Sequence, residues 1–279
     1  MLRAEYLTKT AQDLNYGVLC PVALNLDTLE KLYQISNDYL AMPMIIRVNA
    51  GHFDLGDYAH FAYEFEKKYP QSECSIMAVH ITTYEEAVEA CRYNYKGVAI
   101  RDSLCIDDEA NWEFIAKVGR VCKASDCSLQ VTAKDPQVLF DQKVQSFMIT
   151  NGVGIVRINL KEEVNDANIE DYKALLKKLK ENVPVSICIN DMSNVDLKYY
   201  EAFKWNGCCK FDVFAKVAED GAKAVIELSN KNSDKTNRAL LPAIKKNLFE
   251  TYLDNLLKYA VGCGNFVSRH AATKPDALK

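Results

Sequence analysis

The chain has 279 residues, of which 49% are hydrophobic and 26% charged, and its formal net charge is −4. This composition is typical of a soluble globular protein with a sizeable core. Nucleic acid is not expected as a partner, because no block of lysine and arginine is long enough to form a concentrated basic face. A membrane span is not expected either, because no apolar run reaches about 18 residues.

The order of predicted elements favours an α/β barrel. Eight short apolar runs alternate with amphipathic, helix-like segments, as in parallel sheets whose strands are buried on both faces. The runs cover residues 22–26, 44–48, 75–80, 97–101, 128–131, part of 147–159, 185–189 and 208–213. Helices are predicted at 27–40, 83–95 and 168–179. The length suits one closed (β/α)8 TIM barrel, and no GxGxxG motif follows the first strand to favour an open dinucleotide-binding sheet.

The end of the chain departs from this alternation. Residues 237–259 form one long amphipathic helix in the prediction, and no strand follows it. The last residues, 267–279, are mostly polar. We therefore expect a single barrel domain over residues 1–266 with a long C-terminal helix, followed by a polar tail.

The cysteines indicate whether the cellular compartment of the protein is reducing or oxidising. The ten cysteines include no CxxC pair and no regular framework, and several lie in apolar runs, as Cys188 does. Free, buried thiols in a reducing intracellular compartment are the expected state. The cytoplasm is the first choice and the mitochondrial matrix the second. Met1-Leu2-Arg3 could begin a transit peptide, but Glu5 and Asp13 follow closely and such peptides avoid acids.

Motifs along the strands resemble those of the class II, zinc-dependent ketose-bisphosphate aldolases, in the right order from about residue 7 to 266. The matching segments are YGV and ALNL at 16–26, MPMII at 42–46, AVHITT at 78–83, GVAIRDS at 97–103, VPVSIC at 183–188, KFD at 210–212 and NR at 237–238. In the family, three histidines hold a zinc ion that stabilises an enediolate, an aspartate lies beside the first ligand, and a loop after the fifth strand delivers a glutamate.

The chain departs from the family at the positions that carry this chemistry. Thr82 stands at the catalytic aspartate position and Thr83 at the first zinc-histidine position. Arg157 and Cys188 stand at the histidine positions of the sixth and seventh strands, and Thr132 replaces an acid in the fifth. The whole chain has only four histidines. The resemblance therefore implies a degenerate member with no metal site, no cofactor and no catalytic residues.

Four other residues are weaker ligand-binding or catalytic candidates. His80 could act as a base, although a hydrogen-bonded imidazole at the end of a buried strand is the plainer interpretation. Asp191 and Asp212 could form an acid–base pair, but surface carboxylates are the default expectation. Lys216 could form a Schiff base if its pKa were depressed. His52 and His60 lie eight residues apart and could share one helical face with a metal ion. No third ligand is apparent, so a metal site there is not expected.

Two functions remain open on the sequence alone. The first is a non-catalytic barrel serving as a structural, assembly or regulatory subunit, either as a homodimer, which the family commonly forms, or with other proteins in a larger complex. Fold and activity are separable, so a barrel can persist after its chemistry is lost. The alternative is a divergent lyase or sugar-phosphate enzyme, resembling fructose-bisphosphate aldolase, with a rebuilt active site. Enzymatic activity is thus an open question, with a non-enzyme favoured.

Overall fold

The structure is a computed structural model that describes residues 1–38, 42–52 and 54–214, with a few isolated positions between 219 and 230. The predicted helix at 237–259, the polar tail and the candidate Lys216 lie outside the described residues. No helix within the described ranges is long and apolar enough to cross a membrane.

Eight parallel strands form a closed barrel in sequential order, with β1 paired to β8. The strands are β1 (Val18–Pro21), β2 (Met44–Asn49), β3 (Cys74–Ile81), β4 (Gly97–Ile100), β5 (Ser128–Ala133), β6 (Val153–Ile158), β7 (Ser186–Ile189) and β8 (Cys208–Val213). Nearly all of their residues are buried, which explains the continuous apolar runs in the sequence. The predicted (β/α)8 barrel is confirmed.

The first strand lies earlier than residues 22–26, where it was predicted. After an isolated bridge between Val22 and Arg47, the chain leaves the sheet. The Thr28 hydroxyl accepts hydrogen bonds from the backbone N–H groups of Leu24 and Asn25, at 2.8 and 2.9 Å. These groups are therefore committed to the start of the following helix and cannot join a ladder with β2. The apolar residues at 23–26 belong to the turn and the helix start.

Within residues 1–214, eight α-helices cover the barrel or close its end. They are α1 (Ala4–Leu14), α2 (Leu26–Asp38), α3 (Leu55–Lys68), α4 (Tyr84–Arg92), α5 (Trp112–Ala124), α6 (Gln142–Thr150), α7 (Ile169–Asn182) and α8 (Leu197–Trp205). Each turns one apolar stripe inward; α7, for example, buries Leu176 and Leu179. Full burial of one such side chain contributes about 1.5–3 kcal/mol relative to leaving it in water.

Helix α1, which the sequence analysis did not predict, closes the N-terminal end of the barrel. Its Leu7 is fully buried in a cluster with the barrel-interior residues Ile45 and Met77. Glycine permits this close approach at β6, because a Cβ added to Gly154 would lie 2.7 Å from Cδ of Glu5. The opposite end, where the strands have their carboxyl termini, contains the charged side chains described below.

Candidate functional site at the barrel mouth

A buried charge cluster occupies the carboxyl-terminal half of the barrel, which is the catalytic end in enzymes of this architecture. Asp212 of β8 is fully buried at its centre. One of its oxygens, Oδ2, lies 3.4 Å from Nη1 of Arg157 on β6 and 3.6 Å from Nη1 of Arg47 on β2. The other oxygen accepts a hydrogen bond from Nζ of Lys210 on the same strand. Three cations from three strands thus surround one carboxylate.

The cluster is ionised. Burial opposes the charge of Asp212, but the charges of Lys210, Arg47 and Arg157 outweigh that effect and hold the pKa of Asp212 well below its usual range. Burial likewise works against the charge of Lys210, and the attraction of Asp212 reverses it, so the pKa of Lys210 lies above its usual range. Asp212 is therefore a fixed anion and cannot serve as a proton donor near neutral pH.

This arrangement corrects the expectation of a surface carboxylate at position 212. A charged residue inside a strand that is otherwise buried needs partners, and the barrel supplies them from strands far apart in sequence. Arg47 and Lys210 were not predicted as site residues. The available signal was that each interrupts a run of buried apolar residues.

Arg157 connects the cluster to a second carboxylate. Its guanidinium contacts Asp102, which follows β4, and its Nε lies 3.3 Å from Oγ1 of Thr132. The Thr132 hydroxyl in turn donates a 2.9 Å hydrogen bond to Asp102. The Arg157 side chain is only 3% exposed, whereas Asp102 is 38% exposed and lies at the mouth itself. The fifth- and sixth-strand positions singled out in the sequence are therefore brought together, in an ion-pair network that also includes Asp102.

Cys188 of β7 packs into the same cluster as a neutral thiol. Its Sγ donates to Oδ1 of Asp212 at 3.5 Å and accepts from Nζ of Lys210 at 3.4 Å. Burial, reinforced by the negative charge of Asp212, raises the pKa of Cys188 well above its ordinary value. Because metals and electrophiles react with the thiolate, this environment suppresses both kinds of chemistry.

Thr82 and Thr83 begin a helix. The Thr83 hydroxyl accepts from the backbone N–H of Glu86 at 3.2 Å. The Glu86 carboxylate accepts from the N–H groups of Thr82 and Thr83, at 2.7 and 3.1 Å, which completes a capping box at the start of α4. Such a cap stabilises a helix by about 1 kcal/mol. The two positions that the resemblance assigns to catalysis and zinc binding thus have a structural role.

The side chains at the family's zinc positions do not fit zinc. Thr83 is committed to the helix cap, Cys188 is held as a neutral thiol, and Arg157 presents a cation with no acceptor atom. Zinc sites are built from thiolate, neutral imidazole and carboxylate groups. The positive charge of the Arg157 guanidinium would repel a zinc ion, so no zinc-dependent step can be assigned to these residues.

His80 lies near the end of β3 with a strained backbone. Its φ is +63°, at an irregularity in the pairing of β3 with β4 between Ala78 and Ile81. Partial burial, and then the positive charges of Arg47 and Arg157, lower the pKa of His80 to about 4. No hydrogen bond joins its ring to another described residue. The hydrogen-bonded imidazole expected from the sequence is therefore not what the described structure contains.

The depressed pKa of His80 predicts a specific dependence of stability on pH. The unfolded imidazole, with a pKa of 6.5, binds its proton before the folded one does. Stability is therefore lost as the pH falls from about 6.5 to about 4. We expect His80→Asn, which tolerates positive φ, to reduce that loss relative to wild type, as measured by denaturant midpoints across this range. An identical loss in both proteins would show that His80 does not contribute.

Among the remaining described candidates, Asp191 acts on the cluster only through its charge: burial opposes the charge of Arg47, but Asp212 and, to a smaller extent, Asp191 raise the pKa of Arg47. Asp191 adopts φ +39° and organises the turn after β7, where its Oδ1 accepts from Ser193 and from the backbone N–H of Phe214. His60 lies on α3, whereas His52 lies in the turn before that helix, so the two do not share a helical face.

Several solved aldolase structures have the same fold as this chain. The crystal structure of the YdjI aldolase from Escherichia coli K12 is similar to this chain with a TM-score of 0.73 and 14% sequence identity, covering 98% of this chain and 100% of that one. The fructose-bisphosphate aldolase of Campylobacter jejuni is similar with a TM-score of 0.72 and 12% identity, covering 95% and 94%. No protein-family model and no curated protein sequence matches. The chain thus has the barrel fold of the aldolases that its strand motifs resemble.

Proposed function

We propose that this chain is a catalytically degenerate, class II aldolase-like barrel that acts as a structural, assembly or regulatory subunit of a protein complex. The observation that carries the proposal is the buried cluster of Arg47, Arg157, Lys210 and Asp212 at the barrel mouth. It occupies the region where the resemblance would put a metal and its ligands.

The proton-transfer groups near the cluster support this proposal. General acid–base catalysis is most efficient when the pKa of the group lies near the operating pH. His80 has a pKa of about 4, and the pKa of Cys188 is raised well above its ordinary value. The cations that could stabilise an enediolate are paired with Asp212 or Asp102 instead. Among the described residues near the cluster, the charged groups are held in ion pairs, and neither His80 nor Cys188 has a pKa near neutral pH.

Exposed aromatic side chains on α3 and α4 support a role in assembly. Phe61 and Tyr63 on α3, and Tyr84 on α4, are 38%, 53% and 42% exposed in the described structure. Aromatic residues are enriched in the buried centres of protein interfaces. These two helices are in contact around the barrel, so their outer faces together form a candidate partner surface.

Sedimentation of the full chain at micromolar concentration, with native isolation of whatever accompanies it, tests the assembly role. We expect a species larger than the 31.5 kDa chain, or a stoichiometric partner. The double substitution Tyr63→Ser with Tyr84→Ser should weaken the association. Ile149→Ser on α6, which is 63% exposed, is the matched control and should leave it unchanged. A 31.5 kDa monomer isolated without a partner would contradict the proposal.

The second candidate is a divergent lyase or sugar-phosphate enzyme with a rebuilt site. It is favoured by the concentration of positive charge, since Arg47, Arg157 and Lys210 surround the buried carboxylate of Asp212. A cavity of about 440 Å³ also opens beside the mouth, and its lining combines the amides of Asn159 and Asn190 with Lys161 and the carboxylates of Glu162, Glu163 and Asp191. Saturable binding of fructose 1,6-bisphosphate that Arg47→Met abolishes would support this candidate over the first.

A further inference from the structure

A cluster of three cysteines lies away from the barrel mouth, near the N-terminal end of β5. Cys91 belongs to the last turn of α4, Cys122 to the last turn of α5, and Cys127 immediately precedes β5. All three are buried, with relative exposures of 8%, 1% and 3%. None of the three takes part in the charge cluster at the mouth or in the proposed function of the barrel.

The sulfur atoms have the spacing of a metal site. All three Sγ atoms lie within 4.8 Å of one another, and they form the only such group of three potential ligands among the described residues. Zinc–thiolate bonds of about 2.3 Å in a tetrahedron put the sulfur atoms about 3.8 Å apart. Small rotamer adjustments of buried side chains therefore suffice to bring the three sulfurs onto one ion.

Local backbone geometry favours chelation. Cys122 and Cys127 are separated by four residues, within the spacing common for paired ligands of structural zinc sites. The N–H of Cys127 donates to the carbonyl of Cys122 at 2.9 Å and closes that loop. Cys91 reaches the same point from the adjacent helix α4. A metal would therefore join α4, α5 and the entry to β5.

Thiolates are the form in which cysteine binds metals. A bound cation would stabilise the charged form of all three side chains, which their burial otherwise opposes.

We propose that Cys91, Cys122 and Cys127 form a three-thiolate site for a thiophilic d10 cation, with Zn²⁺ as the physiological class of ligand. A water molecule would complete the tetrahedron. Uptake breaks three S–H bonds, forms three metal–sulfur bonds and releases the protons to solvent, without oxidation or reduction. The site is structural: all three ligands come from the chain's own packed elements, at the end of the barrel remote from the mouth.

The test uses the full chain, reduced and freed of metal by a chelator, then incubated with Zn²⁺ or Cd²⁺ and desalted. We expect one ion per chain, release of protons on uptake, and an ultraviolet sulfur-to-metal charge-transfer band with Cd²⁺. Thermal unfolding should shift to higher temperature with metal. Cys91→Ser and Cys127→Ser should each lose retained metal. Cys74→Ser and Cys188→Ser, which alter buried cysteines elsewhere, should retain it, and so should Cys263→Ser outside the described residues.

Several outcomes would overturn the site. One is a reduced protein that retains no metal and whose three thiols react with maleimide as independent groups. Another is metal that is retained unchanged in Cys91→Ser and Cys127→Ser. A third is a disulfide between Cys122 and Cys127 that forms again after reduction in preference to metal uptake. Circular dichroism of each serine variant separates loss of the ligand from loss of the fold. Ser125→Ala, which keeps all three sulfurs, should retain the metal.

Discussion

Replacing Asp212 by asparagine is expected to lower the free energy of unfolding by about 3–5 kcal/mol, because it leaves buried cations without their shared counter-charge. Lys210 is fully buried, and Arg47 and Arg157 are 8% and 3% exposed, so water cannot replace the lost carboxylate. An uncompensated buried charge is among the few single changes with an effect of this size. Equilibrium denaturation in urea measures it.

Asp13→Asn is the matched control for this measurement. Asp13 is exposed on α1, and its substitution should change stability by no more than about 0.5 kcal/mol. Adding Lys210→Met to Asp212→Asn should recover part of the loss, because it removes one of the unpaired cations. If Asp212→Asn behaves like Asp13→Asn, the ion cluster is not a structural element of the barrel and its proposed role fails.

Restoring the family residues at three positions is not expected to restore catalysis. In the triple variant Thr82→Asp, Thr83→His and Cys188→His, Arg157 still holds a guanidinium where the sixth-strand ligand would lie. The fifth strand still lacks its acids and runs directly into a short 3-10 helix at Pro136–Phe140. Enzymes lower barriers by about 8–23 kcal/mol through groups acting together, so a partial set recovers little.

The same triple variant should be less stable than the wild type. Thr83→His removes the hydroxyl that caps α4, at a cost of about 1 kcal/mol. Thr83→Ser is the control that keeps the cap and should be near wild type. The assay is aldol cleavage of fructose 1,6-bisphosphate with zinc supplied. Cleavage by the triple variant above the level of the wild type would contradict the expectation that the missing acids of the fifth strand and the presence of Arg157 prevent catalysis.

The barrel could be predicted because each strand is marked by a short run of consecutive apolar residues in the sequence. The run at Cys208–Val213 was predicted with the observed bounds, since each of its residues is buried. The first strand was misplaced because the apolar residues at 23–26 have the composition of a strand. In the structure, the Thr28 hydroxyl accepts hydrogen bonds from the backbone N–H groups of Leu24 and Asn25, which places them at the start of a helix. Helix α1 was missed because it precedes the first strand and belongs to no repeat of the strand–helix pattern.

The candidate sites were only partly predictable, since their members meet through the barrel and not along the chain. The resemblance drew attention to Arg157 and Cys188, but nothing in the sequence paired them with Arg47, Lys210 and Asp212 across the interior. The three-cysteine group illustrates the same limit. Cys122 and Cys127 are near in sequence, whereas Cys91 joins them only through the packing of α4 against α5.

Aldol cleavage by the wild-type chain tests most directly whether a buried ion-pair network has replaced the catalytic groups at this mouth. Purified full-length protein supplied with Zn²⁺ is assayed with fructose 1,6-bisphosphate and tagatose 1,6-bisphosphate. We expect no cleavage above the uncatalysed background for either sugar. A turnover in the ordinary enzyme range of about 1–1,000 per second, lost on Arg47→Met or Asp212→Asn in variants that remain folded, would contradict it and establish a rebuilt active site.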